Sequence, residues 1–247
     1  MSYLADLHLH SSFAFACSKD LDLENMAAWA KVKGIDLLAS ADFTHPTWLR
    51  ELRAKLDDDG PGLYRFGGAH FVLGTEVSCV FPQNGKSRRV HVLLFAPDFN
   101  TVDRINAALA KYGNLRSDGR PTLKISARDL TEVVLNVNPN CIVIPAHVWT
   151  PWYGVFGSKS GFDYLEECFL DMAPQIHAVE TGLSSDPAMN WVIPELEGRT
   201  IVSFSDAHSA PKLGRELTAF QGDLSYLGLA GALANQGVAY SVEFYPE

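Results

Sequence analysis

The chain has 247 residues, 47% of them hydrophobic and 20% charged, with 19 Gly and 13 Pro, which excludes disordered, collagen-like and low-complexity classes. A net charge of −9 argues against a general binder of phosphate backbones or anionic membranes, because that affinity rests on Lys and Arg; a local basic groove remains compatible. The start MSYLADLHLH lacks a basic, then apolar, leader, and no apolar run nears the roughly 20 residues needed to span a bilayer. Cys17, Cys79, Cys141 and Cys168 are scattered without a C-x-x-C pair, so the expectation is a cytoplasmic protein.

Short apolar runs alternate with longer amphipathic ones, the pattern of βα units around a mostly parallel sheet. In chain order the predicted elements are a strand over 3–10, a helix over 23–33 closed by Gly34, a strand over 35–41, and a helix over 46–56 with proline in its first turn. Strands over 69–77 and 89–95 follow, which a hairpin can join. Helices over 101–111 and 126–135 come next, then strands over 141–146, 176–180 and 200–205, a helix over 224–235 and a strand over 238–244. No repeat, heptad array or Ser/Gly-rich linker divides the chain, so 1–247 reads as a single domain. Segments 82–89 (Lys86, Arg88, Arg89) and 113–124 (Arg116, Arg120, Lys124) read as exposed charged loops, a solvated surface in preference to a substrate contact.

The chemistry concentrates at predicted strand ends. Asp6, His8 and His10 alternate along the first strand, so the three share one face while Leu7 and Leu9 share the other. One strand histidine is usually a hydrogen-bonded structural residue; two at i, i+2 near a strand end point to ligands. Asp206 and His208 repeat that spacing after strand 200–205, and Asp42, His45, Glu76, His91 and His147 stand in or after other strands. In a parallel barrel such ends form one rim. Nitrogen and oxygen donors without thiolates suit zinc, manganese or iron, with magnesium a further option, and the set is too large for one ion. Two or three divalent ions of this kind lower the pKa of a bound water to about 7 and neutralise phosphate charge, so the expected reaction is phosphoester hydrolysis. His8, His10, Glu76, Asp206 and His208 are the expected catalytic set. No G-x-S-x-G or G-x-G-x-x-G occurs, and Gly85-Lys86-Ser87 lacks the phosphate-loop glycine at Val80.

This order of D-x-H-x-H, Asp42 and His45, an isolated Glu, two isolated histidines and D-x-H resembles the PHP (polymerase and histidinol phosphatase) superfamily over nearly the whole chain. The resemblance implies a distorted (βα)7 barrel with a trinuclear centre. His8, His10, Glu76 and Asp206 would hold one metal, Glu76 would bridge to a second held also by His91 and His147, and His45 and His208 would hold the third. Many members have Asp and His adjacent where Asp42 and His45 are three apart, which leaves open which of them is a ligand. Many also carry a further ligand where this chain offers Phe15, Ala16, Cys17 and Asp20.

Longer blocks at 41–46, 147–152, 156–163 and 180–191 resemble the endonuclease Q branch of that superfamily. This implies nicking of DNA on the 5′ side of deaminated bases (uracil, hypoxanthine) and of abasic sites, with damaged DNA as substrate. Trp149, Trp152, Tyr153 and Phe156, with Ser158 and Lys159, would then offer stacking faces and a phosphate contact; as a plain lid the aromatics would only cover the barrel mouth. Ser184 and Ser185 read as a pocket wall or a helix start. In endonuclease Q the segment resembling 242–247 leads into a cysteine-bearing zinc-binding region, expected to be absent here or supplied by a partner. The alternatives are a small-molecule phosphatase on the same barrel and a non-catalytic DNA-docking module.

Overall fold

The structure is a computed structural model that describes residues 2–244; Met1 and Tyr245-Pro246-Glu247, the end of the last motif above, lie outside the described residues. In chain order the elements are β1 (Ser2–Asp6), α1 (Leu23–Lys33), β2 (Leu37–Ala39), α2 (Pro46–Lys55), β3 (Asp57–Asp58), β4 (Tyr64–Phe66), β5 (Ala69–Gln83), β6 (Lys86–Ala96), α3 (Phe99–Leu109), β7 (Thr122–Leu123), α4 (Ala127–Val137) and β8 (Ile142–Pro145). Then follow α5 (Leu165–Phe169), β9 (Ala178–Glu180), α6 (Pro187–Trp191), β10 (Thr200–Val202), β11 (Leu217–Gln221), α7 (Tyr226–Ala234) and β12 (Val238–Val242).

β1, β2 and β5 run parallel, with Asp6 opposite Leu38 and Leu38 opposite Phe71. The chain then turns back through Asn84 and Gly85, both left-handed (φ 53° and 71°), the backbone that matches the twist of a two-residue hairpin. β6 is therefore antiparallel to β5 and to β8. Segment 82–89, read above as an exposed loop, is the tip of this hairpin. β9 and β10 form a separate parallel pair, and β11 and β12 add antiparallel strands outside β1.

The mixed α/β architecture is as expected, but the pairing does not close the sheet into the distorted (βα)7 barrel that the resemblance implied, among the described residues. β8 meets β9 through Val148 N–H to the Glu180 carbonyl (3.0 Å), and β10 meets β1 through a Leu9–Ala207 bridge and His10 N–H to the Ala207 carbonyl (3.1 Å). A tight turn reverses the chain between β5 and β6, where parallel neighbours would need a long crossover. The result is a mixed sheet, open at two seams, around an apolar core.

Helix packing positions the site locally. α1 begins with Asp22 accepting Asn25 N–H (2.8 Å) and ends at left-handed Gly34, burying Leu23, Met26, Ala27 and Ala30. In α2 the fully buried Trp48 donates its indole N–H to the Ser40 and Ala41 carbonyls (2.9 Å each). That bond pins the turn from which Asp42 projects. No helix is long and apolar enough to cross a membrane among the described residues.

Candidate metal centre

His8 and His10 follow β1 on the stretch tied to Ala207, Glu76 lies midway along β5, and Asp206 follows β10. His8 Nε2 lies 3.5 Å from Glu76 Oε2 and 3.4 Å from Asp206 Oδ1; His10 Nε2 lies 3.3 and 3.2 Å from the same two atoms. Donor atoms around one tetrahedral ion with bonds of about 2.0–2.1 Å sit about 3.3 Å apart, so this spacing fits a cation. His8 Nε2, His10 Nε2 and Asp206 Oδ1 are buried without a hydrogen-bond partner among the described residues. Such orphaned polar atoms are costly unless something charged or polar sits between them.

The other oxygen of Glu76 faces a second group. Oε1 is 2.7 Å from His91 Nδ1 and 3.2 Å from His147 Nε2, and those two nitrogens are 3.1 Å apart. One carboxylate is thus shared by two ligand sets, His8–His10–Glu76 and Glu76–His91–His147. A third set gathers His10, Asp206 and His208, with His208 Nδ1 3.6 Å from Asp206 Oδ1.

Each inner imidazole is held by an outer partner. With the lone pair of the inward nitrogen facing the centre, His8 Nδ1–H donates to Glu180 (2.9 Å to each oxygen) and His10 Nδ1–H to Asp42 Oδ1 (3.2 Å). His91 Nε2–H donates to Ser78 Oγ (2.6 Å) and His147 Nδ1–H to Thr150 Oγ1 (2.8 Å). Partners of this kind fix the ring and its tautomer and raise its basicity. Glu180 also accepts His147 N–H (2.7 Å), and Asp42 accepts both N–H and Oγ–H of Ser11 (2.7 and 2.6 Å). Asp42, His147 and Asp206 have φ of 40°, 29° and 45°, a left-handed strain that costs on the order of 1–3 kcal/mol each and clusters at functional turns.

Burial opposes charge throughout the centre, and the company of each group decides the outcome. Glu180, Asp206 and Glu76 hold His8 well above the usual imidazole range despite its burial, and bonds to Asp206, Asp42 and Glu76 do the same for His10. Against the same burial, Glu76 is held well below the carboxylate range by His91, His8 and Arg120, and Asp206 by His8 and His10. Two rings go the other way: burial outweighs Glu76 and pushes His91 down to about 4, and burial with His10 nearby pushes His208 down.

Several sequence expectations land elsewhere. Asp6 does not converge with His8 and His10: β1 ends at Asp6, so strand alternation does not extend beyond it, and its carboxylate accepts Ser205 N–H (3.0 Å) and Gly214 N–H (2.8 Å). Asp42 faces His10 rather than the space between the ligand sets. His45 caps α2 toward Trp48 N–H (3.5 Å) and stacks on Phe13 (4.6 Å), outside all three sets. Cys17 is half-buried, its thiol pushed up to about 11 by burial, and Asp20 is exposed; neither joins a set.

Of the expected pocket, Trp149 donates its indole N–H to Asn190 Oδ1 (3.0 Å) and packs on Phe156, while Tyr153 stacks on His91 at 4.2 Å. Trp152 is 51% exposed, with the Arg89 guanidinium 5.2 Å from its ring. Ser158, Lys159 and Ser184 are exposed, and Ser185 Oγ donates to the Thr181 carbonyl (2.8 Å). Glu180 was missed in the sequence, and Arg120 was marked without its place. Glu180 ends a predicted strand, the same kind of position that marked Glu76 out. Arg120 was marked only as one charge of segment 113–124, weighed as solvated surface or substrate contact; its Nη1 lies 3.2 Å from Glu76 Oε2, so it is not a solvated surface charge.

No family model matches the chain. The lesion-specific endonuclease PfuEndoQ from Pyrococcus furiosus superposes with a TM-score of 0.88 at 28% identity, covering 100% of this chain and 60% of that one. Endonuclease Q in complex with a 27-mer duplex substrate carrying an abasic lesion at the active site gives a TM-score of 0.85 at 30% identity, over 98% of this chain and 58% of that one. The uncharacterized protein YqxK of Bacillus subtilis is 30% identical over 231 residues, 86% of this chain and 56% of that protein. The fold alone is shared with a chain from Bifidobacterium adolescentis assigned as a metal-dependent phosphoesterase, at 15% identity and a TM-score of 0.55 over 85% of this chain and 90% of that one. The chain therefore spans 56–60% of the length of YqxK and of the two endonuclease Q chains.

Proposed function

We propose that this chain, whose structural neighbours at TM-scores of 0.85–0.88 are endonuclease Q, is a metal-dependent phosphodiesterase of that type that nicks DNA 5′ to deaminated bases or abasic sites. The observation that carries the reading is Glu76, which turns one carboxylate oxygen to each of two buried sets of imidazoles. His8, His10 and Asp206 would hold one divalent ion and His91 and His147 a second, with Glu76 between them. His10, Asp206 and His208 offer a third place, toward which His45 is the further donor implied by the resemblance. Zinc or manganese suits this donor set. Ions held there supply Lewis-acid activation of water and neutralise charge on the attacking and leaving oxygens.

The chain's own residues do the rest. Glu180, Asp42, Ser78 and Thr150 keep the inward nitrogens aimed, and His91, neutral at pH 7, presents a lone pair without first losing a proton. The side chains of Asp206 and His208 are 25% and 26% exposed, against 0% for His8, His10 and Glu76, so the substrate phosphate enters on the Asp206–His208 side. Tyr153 and Trp149 are already engaged with His91 and Asn190, which leaves Trp152 as the aromatic face open to an unstacked base; such stacking is worth about 1–3 kcal/mol per base.

The same reading takes residues 1–247 as one phosphoesterase unit in the cytoplasm, its four cysteines free, and its sheet as an opened, distorted (βα)7 barrel with staves β1, β2, β5, β6, β8, β9 and β10.

The test is cleavage of a labelled duplex holding one abasic site, deoxyinosine or deoxyuridine, beside an undamaged duplex, with manganese or zinc and a chelator blank. A chelator-sensitive nick 5′ to the lesion is expected. Turnover of a simple phosphomonoester with no nick would move the reading to a small-molecule phosphatase, and no hydrolysis at all would overturn it.

A further inference from the structure

One charged side chain at the centre is used by none of these roles. Arg120 enters from the segment between α3 and β7 and sits over the bridging carboxylate, its side chain 20% exposed. The backbone that delivers it is tied on several sides. Asp118 Oδ1 accepts Arg120 N–H (3.0 Å) and Phe15 N–H (3.1 Å), Gly119 N–H donates to the Phe13 carbonyl (3.0 Å), Thr44 Oγ1–H donates to the Gly119 carbonyl (3.2 Å), and Ser78 N–H donates to the Pro121 carbonyl (3.0 Å). A Cβ at Gly119 would lie 2.4 Å from Asp42 Oδ2, so this strap presses directly on the carboxylate that holds His10.

A counter-charge for Glu76 is the plain explanation, but Glu76 already has company on both oxygens: His8 and His10 Nε2 at 3.5 and 3.3 Å, His91 Nδ1 and His147 Nε2 at 2.7 and 3.2 Å. Arg120 has more donors than that one bond uses. Nη1 is its only guanidinium nitrogen bonded to protein among the described residues. A planar fork of fixed charge with free N–H groups, held beside paired cation sites, matches a phosphate oxygen in geometry and sign. We propose that Arg120 binds a non-bridging oxygen of the phosphate being cleaved and offsets the charge that grows on it. This rests on the phosphoesterase reading.

The experiment titrates inorganic phosphate by calorimetry into metal-loaded full chain as wild type, Arg120→Lys and Arg120→Ala, with metal content measured on each and kcat/KM measured on the abasic duplex. The expected result is unchanged metal content, phosphate affinity reduced at least about 10-fold in Arg120→Ala and partly recovered in Arg120→Lys, and kcat/KM down by about 10²–10³ in Arg120→Ala, the usual cost of removing one preorganised donor to the growing charge. Wild-type phosphate affinity in Arg120→Ala overturns the proposal, as does a metal-loaded wild type that binds no phosphate. If Arg120→Ala loses its metals or its fold, Arg120→Lys decides: wild-type values there mean that only a positive charge beside Glu76 is needed. Phosphate binding that depends on Arg120, in a protein that cleaves no phosphoester, would sink the function proposed above and cut the role of Arg120 back to binding a phosphate group, with no charge growing on it to offset.

Discussion

Glu76 and Glu216 are each 1% exposed and meet opposite fates. Glu76 stays well below the usual carboxylate range because His91, His8 and Arg120 surround it against the pull of burial. Glu216, just before β11, has Glu243 and, further off, Glu180 for company, opposed by the Phe244 N–H bond and Arg215; burial and these like charges push it up to about 8. Its Oε1 accepts Phe244 N–H (3.3 Å) and its Oε2 has no partner among the described residues. Removal from water is common to both regions, so it is not what sets them apart. What surrounds Glu76 and not Glu216 is a ring of imidazoles, each gripped from behind.

The largest break in that comparison comes from Glu76→Ala. It removes the residue shared by two ligand sets, and we expect loss of metal from both with hydrolysis reduced by more than about 10³-fold while the circular dichroism spectrum is kept. Retention of full metal content would show that the two sets do not depend on their common carboxylate. Glu180→Gln weakens the grip on His8 and the His147 backbone without touching an inward donor. Losses of outer partners typically cost about 10–100-fold in metal affinity, which competition with a coloured chelator reads directly.

His208→Ala sharpens the contrast within the centre, since His208 is open and its Nδ1 bonds only to the Asp206 carbonyl (2.9 Å). It should lower the bound metal by one equivalent and kcat by roughly 10-fold, leaving the Glu76 sets filled. Elemental analysis showing all metal gone would place His208 in the deep part of the site. The smallest effect belongs to Glu216→Gln. A carboxyl raised from its ordinary 4.5 to about 8 by folding stabilises the fold fully below the lower value, and that contribution fades as pH rises through the upper one. Glu216→Gln should therefore melt like wild type at pH 5 and higher at pH 8, on the order of 2–4 °C for each kcal/mol recovered. Equal Tm at both pH values would mean that Glu216 ionises as freely as a surface carboxylate.

Most of the centre was legible because its residues obey short-range rules. His8 and His10, then Asp206 and His208, announce themselves by i, i+2 spacing, and Glu76, His91 and His147 by standing in or after apolar runs. The same alternation rule misplaced Asp6, because a rule about strands stops where the ladder stops. Asp42 was seen but not its task, since a carboxylate that orients a ligand and one that is a ligand look alike in sequence. Arg120 was seen only as one of three charges on a polar segment, because nothing short-range shows that the segment's tertiary path brings it to Glu76. The reversal at Asn84-Gly85 fitted the hairpin foreseen between strands 69–77 and 89–95, whereas the open seams at β8–β9 and β10–β1 were hidden, because which strands fail to pair is a tertiary matter.

The shared position of Glu76 has a thermodynamic corollary. Ordering one side chain serves two ligand sets, so an ion held by either set would already have met the entropy of fixing that carboxylate for the other, while the repulsion between two like-charged ions on one carboxylate would oppose the second. The ratio of the two stepwise metal affinities would read which of these opposing effects is larger.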